Sequence, residues 1–383
     1  MTQRIALVGE AWGEWEECGS RPFLGVSGVA LFEMLCEAGL CERTGQDTSD
    51  LRDFWFFHNQ WQMTGKPGAR SPDAIVVAPM LRVWARHPEF FPTNVFNLRP
   101  PRNDIESLCV PKTLAPSGLP ALRAGKYLAE QYLSELIRLS SDLRSDEIGL
   151  IICLGGTATW ALLHNPGITK LRGTVASATH VAPGRKLIAT YHPAAVLRQW
   201  ELRHVTILDF MKARGEARFP EVRRPRRQIH IVETLSDLYS MWPPDSDCTA
   251  IAIDIETHQD QITCIGFAYT ASLAYVIPFV DNRRESGSYW GTFAEEKVAW
   301  DTVRQICASR LPKIFQNGLY DTNFLWQKYG IPISNFAEDT MLAHHALQPE
   351  SPKSLDFLGS VYTNEAAWKL MRTRGKTTIK KDE

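Results

Sequence analysis

Two groups of residues announce chemistry by type and spacing. In TAIAIDIE, residues 249–256, an apolar run ends in Asp254 and Glu256. Side chains two apart on a strand share a face, so both carboxylates can reach one metal ion. Asp321 stands four residues after Asn317, one helical turn on, and Phe324 and Leu325 continue an apolar face behind it. The second group is basic. Residues 148–200 contain no Asp or Glu yet hold Lys170, Arg172, Arg185, Lys186 and Arg198, a composition that attracts phosphate.

The elements that must position these groups are bounded by length and composition. The chain has 383 residues, 42 Lys+Arg, 43 Asp+Glu and 44% hydrophobic residues. At roughly 150 residues per domain this gives two or three domains, and it excludes a disordered or fibrous chain. The near-zero net charge of -1 hides an asymmetry: residues 1–227 hold 28 basic and 23 acidic side chains, residues 228–383 hold 14 and 20. The sign changes in KARGEARFPEVRRPRR, residues 212–227. Its prolines and basic charge predict a linker over 216–228 between domains 1–215 and 229–383. The uncharged residues 148–169 are interrupted by Gly155-Gly156 and Pro166-Gly167, which reads as buried strand, turn and helix rather than a membrane span. The first residues lack a signal-peptide pattern, so a cytoplasmic protein without membrane contact is expected. Eight cysteines without a C-x-x-C pair predict no disulfide framework and no structural zinc or iron-sulfur cluster.

Apolar spacing predicts a strand over 5–8, a helix over 27–40 capped by Ser27, a helix over 122–143, a strand over 150–154, a helix over 158–163 and a strand over 187–190. This alternation predicts a doubly wound α/β/α layering around a mostly parallel sheet. Ligands in such sheets bind at the carboxyl ends of strands, which directs attention to loops 9–28, 93–103 and 190–198. In the second half, 249–256, 262–269 and 274–279 read as an antiparallel run of strands, and 313–316 as another.

The three loops contain Gly9-Glu10, Pro22-Phe23-Leu24-Gly25, Asn94 ahead of Arg99-Pro100-Pro101, and His192-Pro193, with Leu154-Gly155 and Leu171-Arg172-Gly173 between them. Taken singly, Phe23 reads as a core plug, Asn94 as a turn former and His192 as a helix-start residue. Taken in order, the set resembles the uracil-DNA glycosylase superfamily, closest to family 4, over about residues 4–212. The resemblance implies an N-glycosidic hydrolase acting on a base flipped out of DNA. It implies that Phe23 stacks on uracil, Asn94 reads its polar edge, and His192 donates to the oxygen where charge develops. Glu10 and Glu16 would stabilise the sugar cation or position water, and Lys170, Arg172 and Arg198 would hold phosphates of single-stranded or uracil-containing DNA. Trp12 stands where the family has proline, and the family's cluster-binding cysteines have no counterparts, so no iron-sulfur cluster is expected.

In the second half, DIET, NGLYDTNFL, EDTMLAHHAL and SLDFLGSVY together resemble the 3'-5' exonuclease domain of family A DNA polymerases, over about residues 229–383. The resemblance implies a ribonuclease-H-like mixed α/β fold and a Mg or Mn site made by Asp254, Glu256 and Asp321, supported by Asn317. The third motif of that family, Y-x-x-x-D, is not matched: Ala366 stands four beyond Tyr362. His344 and His345 read as ordinary helix residues. The sequence therefore resembles the front part of a phage-type family A polymerase, with a polymerase domain expected downstream and weak or absent exonuclease activity in this chain. The competing expectation is a non-catalytic DNA-binding or uracil-sensing module joined to an inactive exonuclease scaffold, which the missing third motif favours and which Trp12 would favour by filling the pocket.

Overall fold

The computed structural model describes residues 3–64 and 74–365. They form two compact units: the chain up to Arg223 grouped with the residues from Gly359 onward, and Arg224–Leu358. Residues 65–73 and those beyond 365, the last part of the expected 229–383 domain, lie outside the described residues.

In chain order the first unit contains β1 (Arg4–Ala11), α1 (Glu14–Gly19), α2 (Val26–Glu37), α3 (Gly45–Thr64), α4 (Ala74–Arg86), β2 (Phe90–Phe96), β3 (Cys109–Pro111), β4 (Lys126–Leu128), α5 (Leu133–Leu143) and β5 (Ile148–Leu154). It continues with α6 (Gly156–Leu163), α7 (Ile168–Leu171), β6 (Val175–Ser177), β7 (Lys186–Thr190), α8 (Pro193–Arg198) and α9 (Leu202–Glu216). Strands β2, β1, β5 and β7 run parallel in that order, and β6 closes the edge antiparallel to β7. Side chains alternate along β1, as a strand buried on both faces requires. Ile5 and Leu7 enter one core with Phe32 of α2, Phe54 of α3, Met80 of α4 and Phe210 of α9. Ala6 and Val8 enter a second core with Leu139 of α5 and Trp160 of α6. Helices thus cover both faces in a doubly wound α/β/α unit. Burial of a ring such as Phe32 or Phe54 contributes roughly 1.5–3 kcal/mol.

Two helices differ from the expectation. The helix expected over 122–143 starts only at Leu133, because Gly125 at φ +69° turns the chain and β4 pairs back on β3. Leu122 and Leu128 still reach the core, so their apolar spacing serves a hairpin. The helix expected over 27–40 runs Val26–Glu37 with extended Gly25, not Ser27, at its N-cap. Residues 45–92 contain α3 and α4. Asp47 and Asp50 of α3 pair with Arg86 of α4, and Phe54, Val77, Met80 and Val83 join the core under β1.

The second unit contains β8 (Gln228–Ile231), α10 (Leu235–Met241), β9 (Ile251–His258), β10 (Gln261–Ala268), β11 (Leu273–Pro278), α11 (Phe293–Ala308), β12 (Lys313–Phe315), α12 (Gly318–Tyr329), β13 (Phe336–Asp339) and α13 (Thr340–Leu347), and α14 (Leu355–Tyr362) comes after it in the chain. Its sheet order is β13-β12-β9-β10-β11-β8. Strands β9, β10 and β11 form an antiparallel meander, and β12 returns parallel to β9, in a ribonuclease-H-like mixed α/β arrangement. Ile251, Ile253 and Ile255 of β9 point into the core, which leaves Asp254 and Glu256 exposed on the opposite face. Among the described residues no helix is long and apolar enough to cross a membrane.

Candidate functional site

The parallel sheet of the first unit delivers its chemistry at one edge. Glu10 stands near the end of β1, Asn94 on β2 opposite Gly9, Gly155 just after β5, and His192 two residues after β7. Together with Phe23, Arg123 and Arg198 they line an open cavity of about 350 Å³. Trp12 lines its wall and leaves that volume free. The size is that of a small-ligand pocket.

Close backbone approach builds the floor. A Cβ on Gly9 would lie 2.2 Å from Asn94 Oδ1 and 2.7 Å from Phe23 Cζ, so only glycine lets both side chains converge there. Phe23 adopts φ +60°, the left-handed region that is costly for an aromatic residue. Its carbonyl accepts the Trp84 indole N–H at 2.9 Å, so α4 holds the strained loop from behind. Asn94 is fixed through its backbone: the Arg138 guanidinium of α5 donates to its carbonyl at 2.6 Å and is itself paired to Glu135 and Asp142.

The carboxylates divide their tasks. Glu10 accepts from Arg123 at 2.7 Å and from the Thr157 hydroxyl, which fixes it beside the cavity. Glu16, expected to act in chemistry, lines the same cavity, is largely buried and also clamps the loop. Its carboxylate accepts the N–H groups of Leu24 at 2.9 Å, Gly25 at 3.1 Å and Gly13 at 3.1 Å. His192 caps α8, and its Nδ1 accepts the Ala194 N–H at 3.2 Å, which leaves Nε2 to carry the proton. Burial lowers its pKa below 6.5, the Arg198 charge acts in the same direction, and Glu10 opposes them. The imidazole is therefore a neutral donor near pH 7.

Of the three residues expected on phosphate, Lys170 and Arg198 are exposed, Arg198 at the cavity rim. Arg172 is not available. It is 4% exposed and holds Asp209 through two guanidinium nitrogens, while Asp209 also accepts from Thr190 at 2.8 Å. The reason is its neighbour in space, α9, which the local sequence does not reveal.

Trp84 gives a direct check on this construction. Trp84→Phe keeps the ring but leaves the Phe23 carbonyl buried without its donor, at a cost of about 1–3 kcal/mol. The expected result is a lower denaturant midpoint with an unchanged m-value. An unchanged midpoint would show that the Trp84 N–H does not hold the Phe23 loop.

In the second unit, Asp254 and Glu256 project from β9 while Asp321, on α12, is buried and accepts the Ile255 N–H at 3.1 Å. Burial pushes the Asp321 carboxyl up to about 6, and Asp254 and Asp339 add like-charge repulsion. Asn317 is at φ +58° and precedes α12. Asp339 was absent from the expected site. It accepts the N–H groups of Asn317 at 3.1 Å and Gly318 at 2.8 Å, and that of Met341 at 2.8 Å, so one carboxylate ties the starts of α12 and α13 together. Its sequence signal was an Asp ahead of an apolar helical run. Oxygen donors of this kind suit Mg or Mn. Among the described residues, however, no three His, Cys, Asp or Glu side chains close into a metal-holding group.

With the geometry in place, residues 1–213 match the family model described as uracil DNA glycosylase superfamily, and residues 229–379 match one described as 3'-5' exonuclease. A type-4 uracil-DNA glycosylase of Archaeoglobus fulgidus is 27% identical over 213 residues, 54% of this chain and 74% of the relative. One from Thermotoga maritima is 26% identical over 216 residues, 55% of this chain and 77% of the relative. Among solved structures, Brucella melitensis NrnC with bound Mg2+ has 16% identity and a TM-score of 0.23, covering 35% of this chain and 59% of that one. The Aedes aegypti Nibbler EXO domain has 16% identity and a TM-score of 0.25, covering 34% and 62%. The chain thus spans under two thirds of either solved chain.

Proposed function

The chain belongs to the uracil DNA glycosylase superfamily, and from that premise we propose that its first unit hydrolyses the N-glycosidic bond of uracil in DNA. The observation that carries the reading is the convergence of Phe23, Asn94 and a neutral His192 on a cavity that Trp12 leaves open. A base turned out of the stack enters this space, its face against Phe23 and its polar edge toward Asn94. As the bond to the sugar breaks, negative charge grows on the base oxygen, where the Nε2–H of His192 meets it. Glu10, held by Arg123 and Thr157, offers negative charge to the sugar cation and an acceptor to attacking water. Lys170 and Arg198 supply phosphate contacts.

The test is incubation with single- and double-stranded DNA carrying one uracil, followed by alkali. Strand scission at the uracil position supports the reading. Intact uracil in DNA that the protein nevertheless binds replaces it with a binding module.

We propose further that residues 229–383, beyond a linker at 216–228, form a module of the polymerase-type exonuclease family with Asp254, Glu256 and Asp321 as Mg or Mn ligands. Because the sequence does not match the third motif and so lacks one of the four carboxylates of that family, the expected result is partial Mn2+ binding, lost in Asp254→Ala, with weak or no digestion of single-stranded DNA. Processive Mg-dependent digestion that Asp254→Ala abolishes would overturn that expectation.

A further inference from the structure

The end of α2 builds a thiol pair that base excision does not use. Gly39, at φ +71°, turns the chain back over the helix: the Gly39 N–H donates to the Cys36 carbonyl at 2.9 Å and the Leu40 N–H to Leu35 at 3.0 Å. This double-bonded helix ending stacks the residue after the turn on the last helical turn. It sets Leu40 against Leu35, and one step on it sets Cys41 against Cys36. Their sulfurs lie 3.4 Å apart, and both residues are half-buried rather than sealed in the core. A side-chain rotation brings such sulfurs to the bond length of about 2 Å.

The two thiols are not equivalent. The contact with Cys41 lowers the Cys36 pKa, with the charges of Arg43 and His87 acting in the same direction, while Cys41 is pushed up by that contact and by burial. Desolvation raises Cys109, Cys153, Cys248, Cys264 and Cys307 as well. Among these seven cysteines, thiolate character, the determinant of nucleophilicity, therefore concentrates on Cys36 beside a waiting partner.

We propose that Cys36 and Cys41 form a reversible dithiol–disulfide couple oxidised by hydroperoxides, with Cys36 as the attacking sulfur and Cys41 as the resolving one. The Cys36 thiolate attacks the outer peroxide oxygen, the O–O bond breaks, and the leaving oxygen departs as water or alcohol after taking a proton, giving a sulfenic acid. The Cys41 sulfur then attacks the Cys36 sulfur, the S–O bond breaks, and the hydroxyl leaves as water with the Cys41 proton. Two thiols are oxidised by two electrons and one peroxide is reduced. A dithiol reductant reverses the change.

The experiment uses the full reduced chain treated with one equivalent of hydrogen peroxide, then alkylation and peptide mass mapping. The expected result is a loss of two hydrogens, two fewer alkylatable thiols, and a linked Cys36–Cys41 peptide that dithiothreitol separates. In Cys41→Ser the sulfenic acid persists and dimedone captures it at Cys36. Cys36→Ser loses the peroxide-dependent step with Cys41 still alkylatable. The proposal is overturned by Cys36 and Cys41 both remaining alkylatable in the oxidised wild type, by a disulfide that links other cysteines or two chains, or by dimedone labelling Cys41→Ser elsewhere than Cys36. None of these readouts depends on excision of uracil.

Discussion

His192→Ala is expected to slow uracil excision about a hundred- to thousandfold, equivalent to roughly 3–4 kcal/mol of transition-state stabilisation, with affinity for uracil-free DNA unchanged. The asymmetry follows from when the charge appears. Before bond cleavage the base oxygen is an ordinary carbonyl, and one neutral donor adds little to binding. During cleavage the departing base becomes an anion, and a donor already fixed in place needs no reorganisation to meet it. His192 is fixed in this sense: the Ala194 N–H occupies Nδ1, and Pro193 sets the first turn of α8. Single-turnover cleavage beside equilibrium binding separates the two effects, and a parallel fall in binding and rate would count against His192 as the donor.

The same geometry fixes the direction of the acid limb. Protonation at Nδ1 would set a second donor against the Ala194 N–H, so the cationic imidazole is not the working form. Because burial lowers the folded pKa below the ordinary 6.5, the excision rate is expected to stay level as pH falls through 6.5 and to drop only in more acidic solution. Stability responds sooner. As pH falls through 6.5 the unfolded chain takes up this proton first, so His192 withdraws stability on the acid side. A rate that halves at pH 6.5 itself would contradict the neutral-donor assignment.

What the sequence disclosed depended on whether a residue's partner lay nearby in the chain. The strands and the carboxyl-end loops were legible, because short apolar runs and turn residues are local signals, whereas the ordered set Glu10, Phe23, Asn94 and His192, which the fold brings to one cavity, was visible only through the family resemblance. The partners of that set were not. Arg123 reaches Glu10 across 113 positions, Trp84 reaches Phe23 across 61, and Arg138 reaches Asn94 across 44. Nothing in their flanking sequence marks them. Glu16, an acid in an acidic loop, lines the cavity and also clamps three N–H groups, a second task that its sequence does not mark. In the second unit the Asp254 and Glu256 pair was legible from a two-residue period. Asp339 binds backbone N–H groups rather than other side chains, and so left only a capping signal.

Arg172 carries the sharpest contrast between a reading of charge and a reading of position. A basic residue in an acid-free segment suggests phosphate contact, and on that basis Arg172→Ala would weaken all DNA alike and reduce the salt dependence. In the fold the guanidinium is 4% exposed and Asp209 1%, and the pair is completed by Thr190 at the end of β7. Removing one partner of a buried pair leaves the other charge desolvated and uncompensated, which costs about 3–5 kcal/mol. For a unit of this size each kcal/mol shifts Tm by roughly 2–4 °C, so Arg172→Ala is expected to lower Tm by about 6–20 °C. Asp209→Asn, which keeps an acceptor for Thr190 and removes the charge, is expected to fall in the same direction. Arg198→Ala, exposed at the cavity rim, is expected to keep the wild-type Tm and to lower the salt dependence of DNA binding by about one phosphate contact. Calorimetry beside a salt titration of DNA affinity distinguishes the two arginines. An Arg172→Ala protein with wild-type Tm and a reduced salt slope would return Arg172 to the DNA surface.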